Sequence, residues 1–192
     1  MFPQLTLPLY TERLILRDFT LADYDAVHAY SSDPLVTRYM FFGPRDATES
    51  YDYLLSMQQS QQEKPRLVWE VAVVRQTDKA LIGGCDLTYT GNPQEADLGY
   101  ILAQPAWGQG YATEIARALV QAGFSQLQLT RIVATCDVAN SASAHVLEKA
   151  GLHRHTTLIQ YKYAKGRWWD VYFYALERRE WAAPARRDVS HR

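Results

Sequence analysis

From Glu12 to Phe19 an apolar core, Leu14-Ile15-Leu16, stands between the polar pairs Glu12-Arg13 and Arg17-Asp18, and the stretch reads as a strand. The pattern then changes. Thr20 opens a stretch that runs to about Pro34 and carries Asp23 three residues on, and Asp46 opens another with Glu49 three residues on. A capping side chain followed at that spacing by an acid is a capping box, so both stretches read as helices. In the second, Tyr51, Leu54, Leu55 and Gln58 follow helical spacing and mark the expected inner face. Residues 67–74, 80–90 and 95–102 are β-rich runs separated by RQTDK and GNPQ, which predicts a three-stranded antiparallel meander. A helix from about Gly110 to Phe124, a strand over 131–138 and a short helix over 141–151 stopped by Gly151 follow. Residues 153–163 and 167–181 close the pattern as a hairpin around Lys165-Gly166. The order describes one α/β domain over residues 1–181 with a mixed sheet, followed by an aperiodic tail over 182–192 that is expected to be loose.

The composition narrows the class. The chain has 192 residues, 47% hydrophobic and 21% charged, enough for a core that needs neither disulfides nor metal. No apolar run approaches the roughly 18 residues of a membrane span, and the first fourteen residues have neither a basic start nor a small-residue cleavage site. A cytoplasmic protein with no membrane partner is expected. Cys85 and Cys136 read as buried thiols, and His153-x-His155, alternating along a strand, as a surface pair with no metal. The net charge of −1 hides an asymmetry: residues 1–100 hold 14 Asp and Glu against 8 Lys and Arg, and residues 101–192 hold 7 against 12. One half suits a cationic partner and the other an anionic one. The basic residues of the second half interleave with acids and form no run, so nucleic acid is not an expected partner.

Gly108 and Gly110 stand one residue apart, between a strand ending at Leu102 and a helix. Such a junction gathers unpaired backbone N–H groups and about +0.5 of dipole charge at one point, which suits a phosphate or pyrophosphate. A P-loop fails, because Tyr111 and Ala112 follow Gly110 where Lys and Ser/Thr are required. A dinucleotide fingerprint is disfavoured, because Thr113 occupies the third glycine position and the motif arrives after a meander rather than in an early βαβ unit.

Four segments in order, TERLILRDFTLADYDAVHAYSSDPLVTRYM, LGYILAQPAWGQGYATEIARALV, NSASAHVLEKAGL and KGRWWDVYFYALERREW, closely resemble the GNAT superfamily of acetyl-CoA-dependent N-acetyltransferases. Within it they are similar to the branch of RimJ/RimL-type ribosomal-protein N-terminal acetyltransferases. The resemblance covers nearly all of residues 11–181 and implies a mixed, mostly antiparallel central sheet flanked by helices and splayed at the acetyl-CoA site. It also implies that Trp107, Gly108, Gln109, Gly110, Tyr111, Ala112 and Thr113 form the pyrophosphate loop, with Trp107 departing from the superfamily consensus. By the same likeness Ile101, Leu102 and Ala103 lie along the pantetheine arm and acetyl carbonyl, and Asn140 and Ser143 near the cofactor thiol. Asn140 also precedes a helix and suits its N-cap; both roles are compatible.

The chemistry follows from the reaction. Acetyl transfer to an amine needs a neutral nitrogen, a polarised thioester carbonyl and a departing thiolate. A thiol of pKa about 8.5 leaves readily, so Ser143 need only donate to the sulfur, and the strand-end N–H of Ile101 is the positional candidate for the oxyanion. At pH 7 an α-amine is about 10% neutral and a lysine amine only a few parts in ten thousand, so an N-terminal substrate asks less of a base. Asp97 aligns with a carboxylate that serves as base in some members of the family, and Glu95, Asp86 and Glu70 lie near it on the same or neighbouring strands. Tyr24, Tyr30, Tyr39, Phe41 and Phe42 are candidates to line the acceptor cleft or to fill core. The expected acceptor is a protein N-terminal amine. A small amine such as a polyamine, amino sugar or amino acid is the alternative, and a non-catalytic acyl-CoA-binding module a further one, in a monomer or homodimer.

Overall fold

A computed structural model of the chain describes residues 2–181; the expected loose tail, 182–192, lies outside the described residues. The elements are β1 (Leu9–Tyr10), β2 (Leu14–Asp18), α1 (Tyr24–Ser31), α2 (Ala47–Ser60), β3 (Val68–Arg75), β4 (Leu81–Tyr89), β5 (Glu95–Leu102), α3 (Tyr111–Ser125), β6 (Arg131–Asp137), α4 (Ser141–Lys149), β7 (His153–Ala164), β8 (Arg167–Glu177) and α5 (Arg178–Trp181). The elements read from periodicity are present, with the two-residue β1 additional, and the last strand stops at Glu177 rather than running to Trp181, because Arg178–Trp181 turns into the short α5. Both capping boxes form. The Thr20 N–H donates to Asp23 at 2.8 Å, and Asp46 and Glu49 exchange bonds of 2.8 and 2.9 Å. The inner face of α2 differs from expectation: Tyr51 is 45% exposed, while Ser50 and Leu54 are buried, with Tyr53 and Met57 packed against the same cluster. The face so turned inward carries Tyr53, whose hydroxyl donates to Glu70 on β3.

One eight-stranded sheet has the order β1-β2-β3-β4-β5-β6-β8-β7, antiparallel everywhere except between β5 and β6. Two apolar clusters lie on its faces. The larger contains Ile115, Leu119 and Leu147 of α3 and α4 against Leu16, Trp69, Leu98 and Ile132. The smaller contains Val27, Tyr30 and Leu54 of α1 and α2 against Phe19, Ala72 and Val74. Truncating a fully buried residue such as Leu54 or Leu119 costs about 2–5 kcal/mol at such sites. Cys85 and Cys136 are buried free thiols.

The sheet opens in its middle. β5 pairs with β4 along its whole length, from Tyr89–Ala96 to Gly83–Leu102, and β6 pairs with β8 from Arg131–Glu177 to Asp137–Val171. Between them β5 and β6 share three register pairs, Glu95–Arg131, Ala96–Ile132 and Asp97–Val133, and then part. Each strand stays satisfied on its outer side, which lets the inner edges separate without unravelling the sheet. At the far edge, the tip of the β7–β8 hairpin docks where Lys165 Nζ donates to the Thr37 carbonyl at 2.9 Å and Phe41 packs edge-on to Trp169. That contact holds residues 40–42 over one face of the opening.

Candidate active site

Gly110 caps α3 at φ +80° and Gly108 lies at φ +72°, a backbone region that L side chains rarely adopt, and nothing stands within 4 Å of where a Cβ at Gly108 would sit. The first helical bond to the cap runs from the Glu114 N–H to the Gly110 carbonyl, so the N–H groups of Tyr111, Ala112 and Thr113 precede the intrahelical ladder. The loop is fastened from outside. Arg13 pairs with Glu114 at 2.7 Å, donates to the Gln109 carbonyl at 2.9 Å and covers the Tyr111 ring at 4.5 Å. The Trp107 indole donates to the Leu102 carbonyl at 2.8 Å, and the Gln109 amide to the Pro105 carbonyl at 2.7 Å. Beside this cradle a groove of about 530 Å³ is lined by Arg13, Arg117 and Lys149 together with Glu12 and Glu114, a net excess of one positive charge. A pyrophosphate fits the donors and the positive charge gathered here.

The ladder fixes which backbone groups face the opening. The Ala103 N–H donates to the Ile82 carbonyl at 2.9 Å, and by antiparallel alternation Ile101, opposite Gly84, also spends its backbone groups on β4. Tyr100 and Leu102 face the other way, past the last β5–β6 pair. Their N–H groups, rather than that of Ile101, are aimed into the gap. This is a correction to the expected oxyanion donor, and its cause is the one-residue parity of a strand.

The Tyr100 side chain lies on the α3/α4 face and its hydroxyl is 2.9 Å from Ser143 Oγ. Asn140 accepts the Ser143 N–H at 3.1 Å and so caps α4. Ser143 therefore sits beside the gap on a fixed helix start. Burial pushes the nearby Cys136 thiol up to about 11 and the Cys85 thiol well above its usual range, so both are protonated near neutrality and neither is a thiolate nucleophile.

On the opposite face lies a cavity of about 150 Å³ whose lining includes Tyr30, Phe42, Arg45, Glu70, Asp86 and Ile101. Glu70 and Asp86 are cross-strand partners, and Asp97 is the diagonal neighbour of Asp86, opposite Thr88. Gly99 makes the room, since a Cβ there would lie 2.3 Å from Asp86 Oδ1. Burial, then the nearby Glu70 and Asp97, push the Asp86 carboxyl up to about 8. Burial and Glu95 push Asp97 up to about 7. Burial also raises Glu70, against the hydrogen bond donated by the Tyr53 hydroxyl and the nearby Arg45.

The expected residues Trp107–Thr113 stand at the start of α3 and Asn140 with Ser143 at the start of α4, while Asp97 lies on β5 outside the cavity lining. Glu95 is taken up by Arg131 at 3.0 Å and by the Thr90 hydroxyl at 2.8 Å, while Asp86 lines the cavity and Asp97 stands behind it. Of the aromatic candidates, Tyr30 and Phe42 line the cavity; Tyr24 stacks on His28, Tyr39 lies under Arg38 and Phe41 packs on Trp169. Sequence reasoning missed Tyr100, Arg13, Arg45, Arg117 and Lys149. The parity of β5 could have found Tyr100; Arg13, Arg117 and Lys149 depend on contacts across 30 residues or more, and Arg45 on the fold of residues 42–53 around it.

An opened sheet with a glycine-rich helix start suited to a phosphate on one face of the gap and half-buried carboxylates on the other is the architecture of an acyl-CoA-dependent acyltransferase. The family description "Acetyltransferase (GNAT) domain" matches residues 13–153, and the chain belongs to the GNAT acetyltransferases. It is 35% identical over 91% of its length to uncharacterized N-acetyltransferase p20 of Bacillus licheniformis, covering 98% of that protein. It superposes on an acetyltransferase (GNAT family) from Bacillus anthracis at TM-score 0.79 and 27% identity, covering 89% of this chain and 98% of the other. The same fold occurs at 24% identity, TM-score 0.74 and 88% and 98% coverage in a spermidine N-acetyltransferase from Vibrio cholerae in complex with CoA and spermine. It occurs at 18% identity, TM-score 0.77 and 91% and 98% coverage in the ribosomal L7/L12 α-N-protein acetyltransferase RimL in complex with coenzyme A. Acetyl-CoA is the co-substrate.

Proposed function

We propose that the chain acetylates a primary α-amine by direct attack, with Asp86 as the group that receives the ammonium proton. The observation that carries this reading is the pair of carboxyls raised to about 8 and about 7 beside the gap. A carboxylate of that strength takes a proton from an α-ammonium of pKa about 7.7–8.0 at almost no free-energy cost, whereas an ordinary aspartate near 3.9 falls short by about four units. Asp97 behind it raises the affinity of Asp86 for the proton. Acetyl-CoA supplies the activated carbonyl and a thiolate leaving group. Trp107 to Thr113, with Arg13, Arg117 and Lys149, hold its phosphates, and Leu102 and Ala103 border its path. The N–H of Tyr100 or Leu102 offers the oxyanion bond, and the Ser143 hydroxyl, oriented by Tyr100, donates to the sulfur.

The amine is expected to belong to a protein N-terminus or to a small molecule. The cavity of about 150 Å³ favours the second, since it holds about one residue's worth of substrate. The test is free-thiol release from acetyl-CoA against N-terminal peptides, spermidine, amino sugars and amino acids, with product masses recorded. A gain of one acetyl group on one acceptor class supports the reading. Tight acetyl-CoA binding with no release from any amine supports a non-catalytic acyl-CoA-binding module instead.

A further inference from the structure

Two polar groups in the acceptor cavity have no use in the transfer reaction. Tyr30 is 3% exposed, and its buried hydroxyl has no hydrogen-bond partner among the described residues. It reaches across the floor of the cavity to Gly84, where an added Cβ would stand 3.4 Å from the oxygen. A buried hydroxyl left without a partner costs about 1–3 kcal/mol, so its persistence at a cavity wall points to a ligand group. The second is Arg45. Its guanidinium is 4.0 Å from the Phe42 ring and 4.0 Å from the Tyr53 ring, a stack that fixes its plane. It makes no side-chain hydrogen bond or ion pair among the described residues, although Glu70 lies near enough to feel its charge. Five N–H donors are thus held at the wall of a cavity whose other wall is acidic.

An acid wall alone would suit any amine, and a polyamine best. A fixed cation in the same small cavity repels a second ammonium and recruits an anion. Both ends lie within about 150 Å³, so the amine and the anion of the occupant are separated by few bonds. The structure assigns Arg45 and Tyr30 as the anchor for the carboxylate of a free α-amino acid, whose amine meets Asp86. This rests on the acetyl-transfer reading and narrows its acceptor; the ammonium of a free amino acid is more basic than a chain-terminal one, so its proton transfer to Asp86 costs more than in the peptide case. Arg45 takes the carboxylate through its forked donors and the Tyr30 hydroxyl donates to the same group.

The experiment compares kcat/KM for the twenty L-α-amino acids, their amides and the corresponding amines without a carboxylate, with spermidine and N-terminal peptides alongside. Losing the carboxylate lowers the amine pKa and by itself favours the amide, so a preference for the acid reports anion binding. At least one acid is expected to exceed its amide by about 10- to 100-fold, the range of a charge-assisted contact. Arg45→Gln is expected to collapse that ratio through the KM of the acid, Arg45→Lys to restore part of it, and Tyr30→Phe to reduce it by about 5-fold. Equal use of acids and amides, or a ratio unchanged in Arg45→Gln, overturns the anchor. Release with spermidine or peptides and none with any acid overturns it while leaving acetyl transfer standing. No release from any amine overturns both.

Discussion

Tyr100 and Ser143 meet across the mouth of the opened sheet, hydroxyl to hydroxyl, at 2.9 Å. Tyr100 comes from the last strand of the meander and Ser143 from the first turn of α4, so one hydrogen bond spans the β5–β6 gap. Where the Tyr100 hydroxyl donates in this pair, the Ser143 proton is left for another acceptor. Tyr100→Phe is expected to lower kcat by about 5- to 10-fold and Ser143→Ala by about 10- to 100-fold, the range of one oriented donor to a leaving group. The double variant should lose no more than Ser143→Ala, because Tyr100 acts through Ser143. Steady-state rates with acetyl-CoA saturating check this, and full additivity would separate the two residues.

The two raised aspartates have unequal duties. Asp86→Asn should lower kcat by about 100-fold or more and Asp97→Asn by about 10-fold, with the dissociation constant for acetyl-CoA within about 3-fold of the parent in both. Isothermal titration with coenzyme A and single-turnover acetylation measure the two quantities. A larger loss at Asp97 would move the base one strand over.

The same carboxyls tie stability to pH. Asp86 at about 8 and Asp97 at about 7 bind protons in the native chain that the unfolded chain, with aspartates near 3.9, has released. Between about pH 4 and 8 the native state therefore holds more protons, the slope of unfolding free energy with pH is negative for these groups, and their contribution falls as pH rises. Asp86→Asn removes most of this cost. Its Tm should exceed the parent's at pH 8 by more than about 2–4 °C, the shift of 1 kcal/mol in a chain of this size, and the difference should shrink toward pH 5. Activity has the opposite sign: kcat/KM should rise through pH 7–8 as the base ionises. Thermal melts and pH–rate profiles of parent and variant test both signs.

Gly99 is a space-keeper for Asp86. Gly99→Ala puts a methyl group 2.3 Å from where Oδ1 now stands, and the carboxylate must turn out of the cavity. We expect a kcat loss of about 10-fold or more, with coenzyme A binding unchanged, because the cradle lies on the other face. Loss of coenzyme A binding would mean that the two faces are not independent.

The cradle has its own test. Gly110→Asp forces a side chain onto φ +80° and sets a carboxylate at the helix start, where it competes with the phosphate for N–H groups and for Arg13, whose Nη2 lies 3.5 Å from the new Cβ. Affinity for acetyl-CoA should drop by about 100-fold or more. Parent-like affinity would remove the loop from the phosphate site.

What the sequence determined is what is local. Period-2 runs, two capping boxes and the Gly108-Gly110 turn are legible because each is decided by residues within a few positions of one another. They located the strands, the helices and the glycine turn that opens α3, and the resemblance carried the acyl-CoA chemistry with them. The tertiary structure decided the rest. Whether Ile101 or its neighbours face the gap depends on pairing with β4, and whether Glu95 is free depends on Arg131, 36 residues away. Arg45 becomes a fixed cation only where Phe42 and Tyr53 stack on it, and the Asp86 carboxyl is raised only because the assembled strands pack around it and bring Glu70 and Asp97 near. Burial and charge proximity are properties of the assembled sheet, and no short window of sequence contains them.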